Sequence, residues 1–179
     1  MMSNTDMKSV PRDNIAVKHS IYARHSRAAG KNRLTIPLIK HCIRVALWYE
    51  NVDIPCEVSV LITSDRGICE INRDFRGINE STDVLSFPMQ EFSPPGWSPP
   101  GNNAIHPGTG LLPLGDIVLS AERVDKQAHD HYQTREHETA YLTIHSVLHL
   151  LGYDHVDEAA GKKQMREREK KIMLEMGYK

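Results

Sequence analysis

Apolar residues recur along this chain in two alternating rhythms, and the switches between them lay out its elements. From Leu38 to Tyr49 the positions Leu38, Ile39, Cys42, Val45, Ala46 and Trp48-Tyr49 keep helical spacing, with Thr35 as N-cap and Pro37 in the first turn. Glu57-Val58-Ser59-Val60-Leu61-Ile62-Thr63 then alternates and is β-branched, which predicts a strand. Ser64-Asp65 caps a following helix to about Phe75. Asp83-Val84-Leu85-Ser86-Phe87-Pro88 reads as a strand stopped by its proline, and Gly115-Asp116-Ile117-Val118-Leu119-Ser120 as a second strand of the same sheet. Helices are predicted over Ala121 to Tyr132, Thr134 to Leu151 and Glu158 to Met176, the last rich in Lys, Arg and Glu.

The remaining segments follow from their composition. Residues 1–13 are polar and contain Pro11, so they read as a flexible N-terminal arm, followed by a short strand at Asn14-Ile15-Ala16-Val17. Residues 93–113 hold six of the ten prolines and four of the eleven glycines, which neither regular element tolerates. They are expected to form a surface loop, either mobile or held in place. The pattern predicts an α+β fold, a small mixed β-sheet covered by several α-helices, with residues 14–179 as a single domain.

At 179 residues, 40% hydrophobic and 25% charged, the chain has the composition of one soluble globular unit. A net charge of −1 advertises no polyanionic or polycationic partner, so charge-driven binding must come from local patches. One such patch runs from Asn14 to Tyr49, where Lys18, Arg24, Arg27, Lys31, Arg33, Lys40 and Arg44 occur without any Asp or Glu. It is either a solvated face or a surface for a polyanion such as RNA. No apolar run approaches bilayer length and the polar start carries no signal-peptide core, so no membrane and a cytoplasmic location are expected. Cys42, Cys56 and Cys69 are widely spaced and odd in number, and are read as reduced thiols.

The chemistry concentrates in His145-Ser146-Val147-Leu148-His149-Leu150-Leu151-Gly152-Tyr153-Asp154-His155, with histidines at i, i+4 and i+10. On a helix His145 and His149 share one face, and Gly152 can take the left-handed conformation that turns the chain back and returns His155 to the pair. Three neutral imidazoles supply three ligands to one divalent, zinc-type ion at the end of a helix and leave a fourth position for water. A pair at i, i+4 also occurs as two side chains with separate local partners. Asp154 is placed either to accept a ligand's second N–H or to close the turn. His137 and Tyr141, on the same face, are assigned to supporting the ligands or packing around them and not to binding the ion. Ser146 stands where a metallopeptidase of this spacing needs its general-base Glu, which argues against proteolysis. Phosphodiester hydrolysis suits a metal site, and it asks for a second positive group at the phosphate. Arg76, just before the Thr82-Asp83-Val84-Leu85-Ser86-Phe87-Pro88 segment, is the candidate, with a solvated arginine as its bland counterpart.

The His145 to His155 segment resembles the signature of the YbeY endoribonucleases, bacterial rRNA maturation factors. So, in the expected order, do Phe75-Arg76-Gly77, Thr82 to Pro88, Gly115-Asp116-Ile117 and the terminal Ile172-Met173-Leu174-Glu175-Met176-Gly177-Tyr178. The resemblance runs from about Asn14 to the end. It implies a zinc-type ion on His145, His149 and His155, with Arg76 and His145 as catalytic residues. It also implies cleavage of single-stranded RNA, in small-subunit rRNA 3′-end maturation and ribosome quality control, with the ribosomal small subunit or assembly factors as partners. Three departures are visible: Ser146 replaces a usual Gly, Tyr141 stands where many members have His, and loop 93–113 looks long. The rival reading is a ribosome-assembly or RNA-binding factor whose metal is structural.

Overall fold

The computed structural model describes residues 17–93, 95–101, 104–154 and 159–178. Within them lie strands β1 (Ser20–His25), β2 (Cys56–Thr63), β3 (Val84–Pro88) and β4 (Leu112–Ser120). The helices are α1 (Ile36–Tyr49), α2 (Asp65–Arg76), α3 (Ala121–Asp130), α4 (Arg135–Leu150) and α5 (Ala159–Glu175). The four strands form one sheet in the order β1-β2-β4-β3, parallel from β1 to β4, with β3 antiparallel at the far edge. The expected α+β single domain with a small mixed sheet is what the chain forms. Among the described residues no helix is long and apolar enough to cross a membrane.

Alternation along the strands gives the sheet two unlike faces. Cys56, Val58, Val60 and Ile62 of β2 are buried, while Glu57, Ser59 and Leu61 between them are half-buried on the other side. The buried side joins the main core with Ile39, Ile43 and Leu47 of α1 and Ile144, Val147 and Leu148 of α4. The opposite side is covered only in part, by α2, where Ile68 packs with Leu85 and Val118 in a small second cluster.

Local chemistry explains the element ends. Ser64 Oγ accepts the Gly67 N–H at 3.1 Å to start α2, and left-handed Gly77 ends it. Thr134 Oγ1 accepts the His137 N–H at 3.1 Å to start α4. Inside α4 the buried hydroxyls of Thr139, Thr143 and Ser146 each donate to the carbonyl four residues earlier, so a polar stripe is buried without orphaned hydroxyls.

Two expectations change in detail, and a third lies almost wholly outside the described residues. The strand expected at Asn14-Ile15-Ala16-Val17 falls largely outside the described residues, as does the 1–13 arm, and Val17 itself lies in a bend. The first described strand is β1, from Ser20, within the basic stretch. β4 begins at Leu112 rather than Gly115: Leu112 N–H donates to Pro55 O beside β2, so the Pro113 nitrogen faces the opposite side, ahead of the β3 pairing that starts at Pro88↔Gly115. The missing N–H therefore costs no ladder bond. The register with β2 shifts between Glu57 and Val58, and Gly115 takes φ +140° there. A Cβ on Gly115 would lie 2.2 Å from the Phe87 carbonyl oxygen. The described part of loop 93–113 is anchored at two neighbouring residues: Gly96 N–H donates to Leu151 O at 3.0 Å and Trp97 Nε1 to Asp53 Oδ1 at 3.0 Å. The three cysteines are free thiols, with Cys42 and Cys56 buried.

Candidate metal centre and its surroundings

Helix α4 places His145 and His149 one turn apart near its C-terminal end, on the side facing α5. Their rings meet edge to face, centroids 4.6 Å apart, and their Nε2 atoms approach to 3.2 Å. Gly152, at φ +83°, turns the chain immediately after, as the sequence predicts. A side chain there would press on Phe92, since a Cβ added to Gly152 would stand 3.0 Å from the Phe92 carbonyl oxygen. Tyr153 and Asp154 follow, Tyr153 buried and Asp154 exposed. His155 lies outside the described residues, and among those described no set of three His, Cys, Asp or Glu gathers as a complete ligand group.

The residue that sequence reasoning missed is Glu169. It comes from α5, is buried, and its Oε1 lies 2.6 Å from His145 Nδ1. A carboxylate accepts only, so His145 donates its Nδ1–H, and Nε2, the atom that faces His149, is the nitrogen that carries the lone pair in the neutral ring. Tyr141 donates its hydroxyl to the other Glu169 oxygen at 3.4 Å. Burial, and next the Glu169 carboxylate, push the Tyr141 phenol up to about 12, so it stays protonated and remains a donor. His137 takes no part in this set. Its ring meets Tyr178 edge-on at 5.3 Å.

This arrangement fits a divalent ion. Nitrogens bound at about 2.0–2.1 Å in a tetrahedral shell lie about 3.3–3.4 Å apart, close to the 3.2 Å between the two Nε2 atoms. A carboxylate on the far nitrogen of a ligating histidine is the usual support of such a site. A cavity of about 250 Å³ opens beside His145, lined also by Tyr141, Lys162, Met165, Arg166 and Glu169. Ser146 points away: its hydroxyl, fully buried, donates to Leu142 O at 2.8 Å. Of the two point departures from the family pattern, Ser146 thus sits in the core, while Tyr141 lines the cavity.

Arg76 is the last residue of α2 and is exposed. Its neighbour Phe75 packs on Phe87 of β3, ring centroids 5.5 Å apart, at the wall of a larger groove on the open sheet face. That groove, about 770 Å³, is lined by Tyr22, Arg24, Lys40, Phe87 and Asp116 among others. It is the larger concavity, but His145 and His149 are not part of its lining, and His145 lines the smaller one. Arg76 lines neither. Of the basic stretch, Arg24 and Lys40 reach the groove, while Arg33 contacts His25 and Arg44 donates to Lys40 O.

Comparison with known proteins identifies the family of the chain. A family model described as Endoribonuclease YbeY matches residues 21–177. A protein of Caldanaerobacter subterraneus subsp. tengcongensis named Endoribonuclease YbeY is 42% identical over 142 residues, covering 79% of this chain and 87% of the relative. One of the same name from Clostridium tetani is 45% identical over 142 residues, covering 76% and 84%. The solution structure of a Thermotoga maritima protein superposes with a TM-score of 0.54 at 28% identity, covering 87% of both chains.

Proposed function

The chain belongs to the YbeY endoribonuclease family, and on that premise we propose that it cuts single-stranded RNA in a metal-dependent reaction, in the 3′-end maturation of small-subunit rRNA and in ribosome quality control. The reading includes one zinc-type divalent ion held by His145, His149 and His155. Such an ion, when bound, supplies Lewis acidity toward a phosphoryl oxygen. The partners in this reading are ribosomal RNA and the small subunit or its assembly factors, and the compartment is the cytoplasm.

The chain's own residues have distinct tasks. Glu169 fixes the tautomer of His145, and Tyr141 holds Glu169 in turn. Arg76 is assigned to the phosphate, whose oxygens a guanidinium fork can grip in pairs. The observation that carries the reading is the approach of the His145 and His149 Nε2 atoms beside an open cavity, with a buried carboxylate behind. A site with solvent access suits catalysis better than scaffolding, which closes its metal in. Proteolysis lacks its base, because the position after His145 carries a hydroxyl committed to the helix backbone.

The test compares cleavage of a single-stranded RNA by nuclease-free wild type, His145→Ala and Arg76→Ala, with metal content and Tm recorded for each. Cleavage by wild type and by neither folded variant supports the reading. Equal cleavage by all three marks contamination and overturns it. No cleavage by any, with unfolding on metal loss, replaces it with an assembly factor built around a structural ion.

A further inference from the structure

Helix α5 presents different chemistry on its different sides. Met165, Ile172 and Met173 are buried, and buried Glu169 falls on the same stripe, where it meets His145. Arg168 is taken up by buried Glu50, Nη1 to Oε1 at 3.0 Å. Of the other cations Lys171 falls on another side, while Lys162, Lys163, Arg166 and Lys170, all exposed, stand at spacings of one, four and eight from the first, which is one continuous stripe. Among the described residues none of the four forms an ion pair.

The position of this stripe relative to the histidines gives it meaning. Lys162 and Arg166 line the His145 cavity, and the same two side chains line a second, shallower concavity of about 460 Å³ with Lys163, Glu167 and Lys170. They stand where the two join. Arg166 is also close enough to Tyr141 to act electrostatically on its phenol. Glu167 is the one acid in the shallow groove, against four cations along it. An unbranched, cation-lined track that ends at the reacting centre matches a single nucleic-acid strand, whose charge is evenly repeated along its length.

We propose that Lys162 and Arg166, one turn apart on α5, form a backbone-phosphate subsite that seats the RNA strand at the mouth of the His145 cavity, with Lys163 and Lys170 continuing the track. This rests on the endoribonuclease reading and adds to it a route for the strand that Arg76, at the end of another helix, does not supply. Arg166 offers a planar fork for two oxygens of one phosphate, and Lys162 a mobile point charge for the next. Contacts of this kind place the strand without reading its bases. They are positioning residues, and their loss raises KM and leaves kcat.

The test uses the full chain as purified and the double variant Lys162→Gln with Arg166→Gln. A double variant of two exposed cations elsewhere, Arg66→Gln with Lys126→Gln, controls for net charge. Cleavage of a labelled single-stranded RNA is followed from 50 to 200 mM salt, roughly the range over which phosphate contacts weaken most visibly. Binding of a labelled DNA strand of the same sequence is measured alongside, because phosphate contacts do not need the 2′-hydroxyl. The expected result is a KM and a DNA Kd raised roughly 10-fold or more for the α5 variant, with kcat, metal content and Tm as in wild type. The slope of log affinity against log salt should fall by about 1.4, near 0.7 for each lost contact to a single strand. An unchanged KM and salt slope in a protein whose wild type cleaves RNA overturns the subsite, as does a fall in kcat at constant KM. Wild type that neither binds nor cuts RNA overturns the endoribonuclease reading itself, and the subsite with it.

Discussion

His145 Nδ1 and Glu169 Oε1 lie 2.6 Å apart although 24 residues of chain separate them, and this one contact decides which nitrogen of His145 faces His149. Removing the charge but keeping the shape, Glu169→Gln, leaves a side chain that can donate as well as accept. The preference for Nδ1–H then weakens. Zinc affinity, measured by competition with a chromogenic chelator, should fall about 10- to 100-fold while the fold is retained. Affinity equal to wild type would show that Glu169 does not orient the ligand.

Ser146 is predicted to matter little. Its hydroxyl donates within its own helix and is fully buried, so Ser146→Ala removes a donor together with the need to satisfy it. Alanine is also the better helix former. Stability in urea should change by no more than about 1 kcal/mol, with zinc affinity unchanged. A loss of metal would place the hydroxyl in the site after all.

Gly115 should be intolerant. Its φ of +140° and the 2.2 Å approach of an added Cβ to Phe87 O leave no room at the β3–β4 ladder. Gly115→Ala should cost roughly 3 kcal/mol in equilibrium unfolding. A cost below about 1 kcal/mol would mean that β3 shifts freely at this point.

His19 sets a pH dependence of stability. Burial, and next the nearby Arg44 charge, hold the imidazole down to about 4, and its Nδ1 accepts the Cys56 N–H at 3.3 Å. The unfolded group titrates near 6.5. Above that pH both states are neutral and this stability is complete. As pH falls from about 6.5 toward 4 the unfolded chain binds a proton that the folded one refuses, and stability drops by at most ~3 kcal/mol. His19→Gln should flatten that part of the urea-stability profile between pH 7 and pH 4, and an equal slope in both proteins would contradict the assignment.

What could be read from the chain beforehand depended on whether the signal was local. His145, His149 and Gly152 fall within eight residues and their spacing alone gives the face and the turn, both of which the fold reproduces. Glu169 was hidden because its partner is distant in sequence and its helix reads as solvated Lys, Arg and Glu. A signal existed: Met165, Glu169, Ile172 and Met173 keep the spacing of a buried stripe, and a carboxylate on such a stripe needs a partner. β1 carries a weak signal in the sequence, because Ile21 and Ala23 alternate with Tyr22 and Arg24 in only six residues, short and charged as an edge strand is. β4 was shortened by Pro113, whose tolerance depends on where β3 stops, a tertiary fact.

The most direct measurement is a zinc titration of cleavage. Wild-type protein is stripped with chelator until it no longer cuts single-stranded RNA, its fold is checked by circular dichroism, and zinc is returned in steps below one equivalent. Cleavage should rise linearly and level off at one ion per chain, and His149→Ala treated in the same way should stay inactive. Undiminished cleavage by the folded, metal-free protein, or full activity in His149→Ala, would contradict metal-dependent cleavage at these histidines.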